Sequence, residues 1–169
     1  MKITVEHRIP ASVDAVWPAW TTPEDIVRWN AASDDWHTVR ASVDLREGGT
    51  FSSRMEAKDG SMGFDFEGTY TKLEPQRRIE AMLGDRALVV EFLPGPGGTT
   101  VRETIDGDDV YPEAQQRAGW QAILDRFARH VEAGGAGGSS PRRQRGRLAR
   151  GARAAHSSGR NRSRPTRNR

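Results

Sequence analysis

The sequence contains no cysteine, and its four histidines are dispersed. Without cysteine there is no disulfide, no thiolate nucleophile and no thiolate metal ligand. His7, His37, His130 and His156 show no three-His or His/carboxylate spacing that would hold a metal, so we expect neither a metal nor another cofactor. No motif supports a Ser/His/Asp nucleophile. The glycines at 95, 97 and 98 fall between two strand-like runs rather than at a helix start, which excludes a phosphate-cradling loop. No apolar run approaches the roughly 20 residues of a membrane span. Met1 to Glu6 reads as a strand and not as a signal peptide. The expectation is a cytoplasmic protein with no membrane partner.

Acidic residues are missing from one part of the chain. Residues 1–133 carry 15 Lys and Arg against all 23 Asp and Glu, a net −8; residues 134–169 carry 11 Arg, no Lys and no acid. Leu148 is the one large apolar residue of that tail. Such a segment buries too little surface to offset its ordering entropy, so it reads as disordered. Three readings stand: a basic arm that grips nucleic acid phosphates, a solvated appendage, or the product of a frameshift in a GC-rich gene. The tail has no aromatic residue to stack on bases, which weighs against single-strand binding.

Residues 1–133 are long enough for one domain with a real core. Ile3, Val5 and His7 alternate with polar neighbours, which predicts a strand ending at Pro10. Ser12 is a candidate N-cap for a short helix through Val16, Trp17 and Trp20, which Pro18 should kink or shorten. Thr22-Pro23-Glu24-Asp25 reads as a second helix start. Six strand-like runs follow: Thr38–Leu45, Thr50–Ala57, Gly63–Leu73, Arg78–Leu83, Leu88–Leu93 and Thr99–Ile105. Asp59-Gly60 signals a tight hairpin. Short turns favour an antiparallel meander. A long helix from Pro112 to about Glu132 puts Gln116, Trp120, Ile123, Phe127 and Val131 on one face, widened by Leu124. Gly119 inside it suggests close approach of the helix backbone to a neighbour. The predicted class is α+β, with about seven strands, two short helices and one long C-terminal helix.

Trp29 to Tyr70 interleaves tryptophans, a histidine and acids on loops and strands, the mixture that lines an apolar pocket with a few polar groups. Trp29 and Trp36 bracket an acidic loop and read either as pocket wall or as core. His37 reads as a polar ligand contact, or as a strand histidine bonded to a neighbour. Phe64 and Phe66 share one face of a strand and are expected to meet Trp120 and Phe127, with Met55 and Met62 as adaptable filling. Gln116 is the polar member of the helix stripe, a ligand contact at the cavity's open end or a residue that caps a strand edge or bonds water. The candidate binding set is therefore Trp29, Trp36, His37, Met55, Phe64, Phe66, Gln116, Trp120 and Leu124. Asp44 and Arg46 share one strand face, with their direction left open.

The order of elements resembles the helix-grip fold of the START and birch-pollen-allergen (SRPBCC) superfamily. The motifs Val16-Trp17, Trp20-Thr21-Thr22-Pro23-Glu24, Trp29 to His37, Asp44 to Gly49, Asp59 to Tyr70, and Gln116 to Trp120 resemble more specifically the small bacterial proteins named for the activator of the heat-shock protein 90 ATPase. The resemblance covers roughly residues 1–133. Pro18 departs from the helix-favouring residue usual there, and the tail has no counterpart. The resemblance implies a curved sheet gripping the long helix, a cavity between them, and a hydrophobic small molecule as partner. It also implies two alternatives: a domain that modulates a chaperone ATPase, or an enzyme of the polyketide cyclase and aromatase kind. A monomer or weak dimer is expected.

Overall fold

The computed structural model describes residues 1–134 of the 169. The tail reads from the sequence as residues 134–169, of which 135–169 lie outside the described residues. The chain opens with β1 (Lys2–Ile9), then α1 (Val13–Thr21) and α2 (Pro23–Trp29). The meander follows: β2 (Trp36–Val43), β3 (Thr50–Ala57), β4 (Gly63–Glu74), β5 (Arg78–Leu83), β6 (Arg86–Gly95) and β7 (Gly98–Asp106). The long helix α3 (Glu113–Glu132) ends the domain.

All seven strands form one antiparallel sheet in the order β1-β7-β6-β5-β4-β3-β2. Consecutive strands from β2 to β7 pair with their neighbours, as short turns require, and β1 completes the sheet by pairing with β7 from Lys2–Asp106 to Ile9–Thr99. The sheet curls into a half-barrel, with register shifts at Thr38/Arg40 and at Tyr70/Lys72. Such bulges bend the strand that carries them. This is the α+β, helix-grip-like architecture that the pattern of elements predicts.

Period-two alternation sets the inner face. Ile3, Val5 and Ile9 of β1, Val101 and Ile105 of β7, and Leu88, Val90 and Phe92 of β6 are buried. Against them pack Val16 and Ala19 of α1, Trp29 of α2, and Leu124, Phe127, Ala128 and Val131 of α3. An aromatic knot fills this end. Trp20 lies 4.9 Å from both Trp29 and Phe127 between ring centroids, and Trp17 meets Phe92 edge-on at 5.1 Å. The Trp29 indole donates to the Ala19 carbonyl at 3.0 Å, so its one polar atom is satisfied. Truncating Phe127 to Ala would cost about 3–5 kcal/mol.

Several local expectations change. Pro18 does not end α1, which continues to Thr21, and the Thr22 N–H bonds back to the Pro18 carbonyl. Thr22 closes α1 and precedes Pro23 at the start of α2, as its sequence suggests. Ser12 occupies the N-cap position of α1 without a side-chain capping bond. The Asp59-Gly60 connection is looser than a two-residue hairpin. It spans residues 58–62, with Gly60 at φ 78° and the Ser61 N–H donating to the Asp59 carboxylate. Gly119 meets nothing within 4 Å of where a Cβ would sit, so close backbone approach is not the reason for it.

Candidate functional site

The two halves of α3 do different work. Its C-terminal half is sealed into the core by Leu124, Phe127, Ala128 and Val131. Its N-terminal half, through Gln116, Trp120 and Ile123, roofs a pocket of about 540 Å3 above the inner faces of β3 to β7. Met55, Phe64, Phe66, Ile79, Leu88 and Val90 supply most of the apolar wall, and Trp29 and Trp36 close its flanks. Phe66 meets the Trp120 ring at 6.1 Å. Phe64 turns instead to Trp36, at 5.8 Å, and is 48% exposed at the mouth. Phe127 packs on Trp20 and Trp29 rather than on either phenylalanine.

Of the nine sequence-selected residues, Trp29, Trp36, Met55, Phe64, Phe66, Gln116 and Trp120 come together around this pocket. His37 does not. It is exposed, because neighbouring strand residues point to opposite faces and Trp36 and Thr38 take the inner one. Leu124 also lies off the wall: it is fully buried further along α3 in the dry core, and Ile123 takes the wall position. Met62 is 67% exposed in the β3–β4 connection, so the methionine filling is Met55 alone. Asp44 and Arg46 follow the end of β2, face solvent and pair with each other at 2.9 Å.

The polar atoms at the rim are mostly committed to holding loops. The Gln116 side chain accepts from the Asp108 N–H at 2.9 Å and donates to the Asp108 and Tyr111 carbonyls at 3.0 and 2.7 Å. The Asp108 carboxylate accepts from the N–H groups of Val110 and Tyr111. The Arg86 Nε donates to the Asp106 carbonyl at 2.8 Å. Gln116 thus clasps the loop between β7 and α3 rather than offering free donors to the pocket. Burial, with the Asp44 charge adding to it, pushes the Tyr70 hydroxyl up to about 12, so this wall residue stays uncharged.

Glu103 is the residue that the sequence selection overlooked. It sits on the inner face of β7, 3% exposed, and lines the pocket. Its Oε1 has no hydrogen-bond partner, and burial pushes its carboxyl up to about 8. The signal was present: Val101 and Ile105 bracket it at a spacing of two, so any strand that buries them buries Glu103. His7 and His130 are both tied to carboxylates, to Asp125 at 2.8 Å and to Asp25 at 2.7 Å. Among the described residues no group of three His, Cys, Asp or Glu gathers to hold a metal, and no helix is long and apolar enough to cross a membrane.

The family profile described as activator of Hsp90 ATPase homolog 1-like protein matches residues 10–132. The chain belongs to this family. An AHSA1-like protein from Aeromonas hydrophila is 52% identical, with a TM-score of 0.75 over 79% of this chain and 93% of that one. A protein from Cytophaga hutchinsonii is 41% identical, with a TM-score of 0.69 over 78% of this chain and 92% of its own. A Chromobacterium violaceum protein shares the fold at 24% identity, with a TM-score of 0.68 over 78% of this chain and 98% of its own. No curated protein matches the chain. The fold of this AHSA1-like chain is commonly a ligand-binding scaffold.

Proposed function

We propose that this AHSA1-like domain binds a hydrophobic small molecule in the pocket between its sheet and the first half of α3. The observation that carries this reading is a pocket of about 540 Å3 whose wall is built from aromatic and aliphatic side chains. That volume lies within the range of small-molecule sites, roughly 300–1,000 Å3. The rim supports it too, because the Gln116 amide, the Asp108 carboxylate and the Arg86 Nε bond to backbone groups of β7 and the loop after it. The test is a thermal-shift and native mass spectrometry screen of the full chain against fatty acids and fused-ring aromatic compounds. A one-to-one complex that raises the melting temperature supports the reading, since a ligand that binds the folded state stabilises it. Failure of every compound to bind at its solubility limit counts against it.

A second reading, modulation of a chaperone ATPase by surface contact, draws on the exposed apolar side chains Val39, Leu45, Met62 and Phe64, which lie on or beside β2 and β4. It predicts that the domain alters chaperone turnover, and that Met62→Ser with Phe64→Ser abolishes the effect. An unchanged ATPase rate would exclude it.

A further inference from the structure

Two acidic side chains are buried among the described residues, Asp25 and Glu103. Asp25 is bonded to His130 between the helices. Glu103 is on the pocket wall, and its setting is apolar on every side that the sheet defines. Its cross-strand partners are Val5 on β1 and Val90 on β6, and its same-face neighbours on β7 are Val101 and Ile105. A buried carboxyl oxygen without a partner costs about 1–3 kcal/mol. A valine or leucine at this position would continue the hydrophobic face without that cost.

We propose that the Glu103 carboxyl group is the polar anchor of the pocket, and that the ligand is an apolar molecule carrying one uncharged acceptor oxygen, such as a ketone or ester carbonyl. This rests on the pocket being a small-molecule site and names the class of molecule it takes. Three observations support it. Glu103 lines the pocket, and its buried Oε1 has no hydrogen-bond partner. At the rim, the Gln116 amide, the Asp108 carboxylate and the Arg86 Nε are already bonded to backbone groups. Burial keeps the carboxyl protonated at neutral pH, so it donates a hydrogen bond rather than attracting a cation. The titratable side chains on the surrounding elements fit that state. β1 and α3 bring His7 and Asp125, which bond to each other; β6 brings Arg86, held by the Asp106 carbonyl; β4 and the loop after β7 bring Tyr70, Asp108 and Tyr111.

The test uses two naphthalenes of matched shape, 2-acetylnaphthalene and 2-isopropenylnaphthalene, which differ by an oxygen in place of a methylene. Their affinities are measured by calorimetry on the full chain and on Glu103→Leu and Glu103→Gln, with folding checked by circular dichroism. The ketone-to-alkene affinity ratio should be about tenfold higher in the native chain than in Glu103→Leu, the value of one good hydrogen bond. Glu103→Gln, which keeps a donor, should retain most of the ratio. The ratio should hold up to neutral pH and fall towards that of Glu103→Leu as the pH passes through about 8. Equal ratios in the native chain and Glu103→Leu would overturn the anchor and leave the pocket reading standing. Binding of neither probe to any of the three folded proteins would overturn both.

Discussion

His130 near the end of α3 and Asp25 in the first turn of α2 are joined by a 2.7 Å hydrogen bond, with both side chains almost wholly buried. The bond joins the long helix to the short one, two elements that also meet through the Trp29–Phe127 ring contact. Substituting His130 with Ala removes a partner from a buried carboxylate. The expected loss is about 1–3 kcal/mol of unfolding free energy. Urea denaturation checks it; an unchanged midpoint would show that the bond does not hold the helices together.

Glu103 makes stability depend on pH in a defined direction. A glutamate of ordinary pKa, 4.5, loses its proton far below the value of about 8 that burial imposes in the fold. Between those two values the folded chain holds a proton that the unfolded chain has shed. Its contribution to stability is therefore intact below pH 4.5 and is lost as the pH rises through about 8. The slope approaches about 1.4 kcal/mol per pH unit within that window. Glu103→Gln should lack this component, so its stability relative to the native chain should increase steadily from acid to mildly alkaline pH. Parallel curves for the two proteins would contradict the buried, protonated state.

Gly119 is an unforced glycine in the middle of α3. A Cβ there meets open space, and its φ lies outside the left-handed region. Gly119→Ala should therefore stabilise the domain by about 0.5–1 kcal/mol, through helix propensity and reduced freedom of the unfolded chain. A lower melting temperature would mean that α3 needs this position open.

Gly68 behaves in the opposite way. It pairs across strands with Phe51, whose ring covers it: a Cβ at Gly68 would come within 2.7 Å of two Phe51 ring carbons and within 2.8 Å of a Leu83 methyl. Phe51 also stacks on Tyr70 at 4.9 Å and lines the pocket. Gly68→Ala must push that ring aside, at a cost of about 1–3 kcal/mol. Retention of native stability would show that the ring moves freely.

The fold could be read from the chain because its signals are periodic and local. Arg78–Leu83 is bounded by Pro75 and Gly84, and it forms β5 at those limits. The Gln116-to-Val131 stripe lies on α3 as its spacing of threes and fours demands. The site was harder, because which element faces which is not periodic information. Trp36 and His37 are both candidate contacts by sequence, yet a strand sends neighbours to opposite faces, and only Trp36 reaches the pocket. Gln116 stood on the correct helix face, but the loop that claims its amide was invisible until Asp108 and Tyr111 were placed. Glu103 was missed because a charged residue in a strand is ordinarily assigned to solvent, although Val101 and Ile105 fix it inward.

The central claim, an apolar ligand inside the pocket, is tested most directly by the methyl resonances of the four methionines. Met55 lines the pocket, whereas Met1 and Met62 are exposed and Met82 lies elsewhere on β5. Titration of methyl-13C-methionine protein with 2-acetylnaphthalene should shift the Met55 resonance saturably at one-to-one stoichiometry and leave the other three in place. An unmoved Met55 resonance, or shifts confined to Met1 and Met62, would place the molecule outside the pocket and contradict the account.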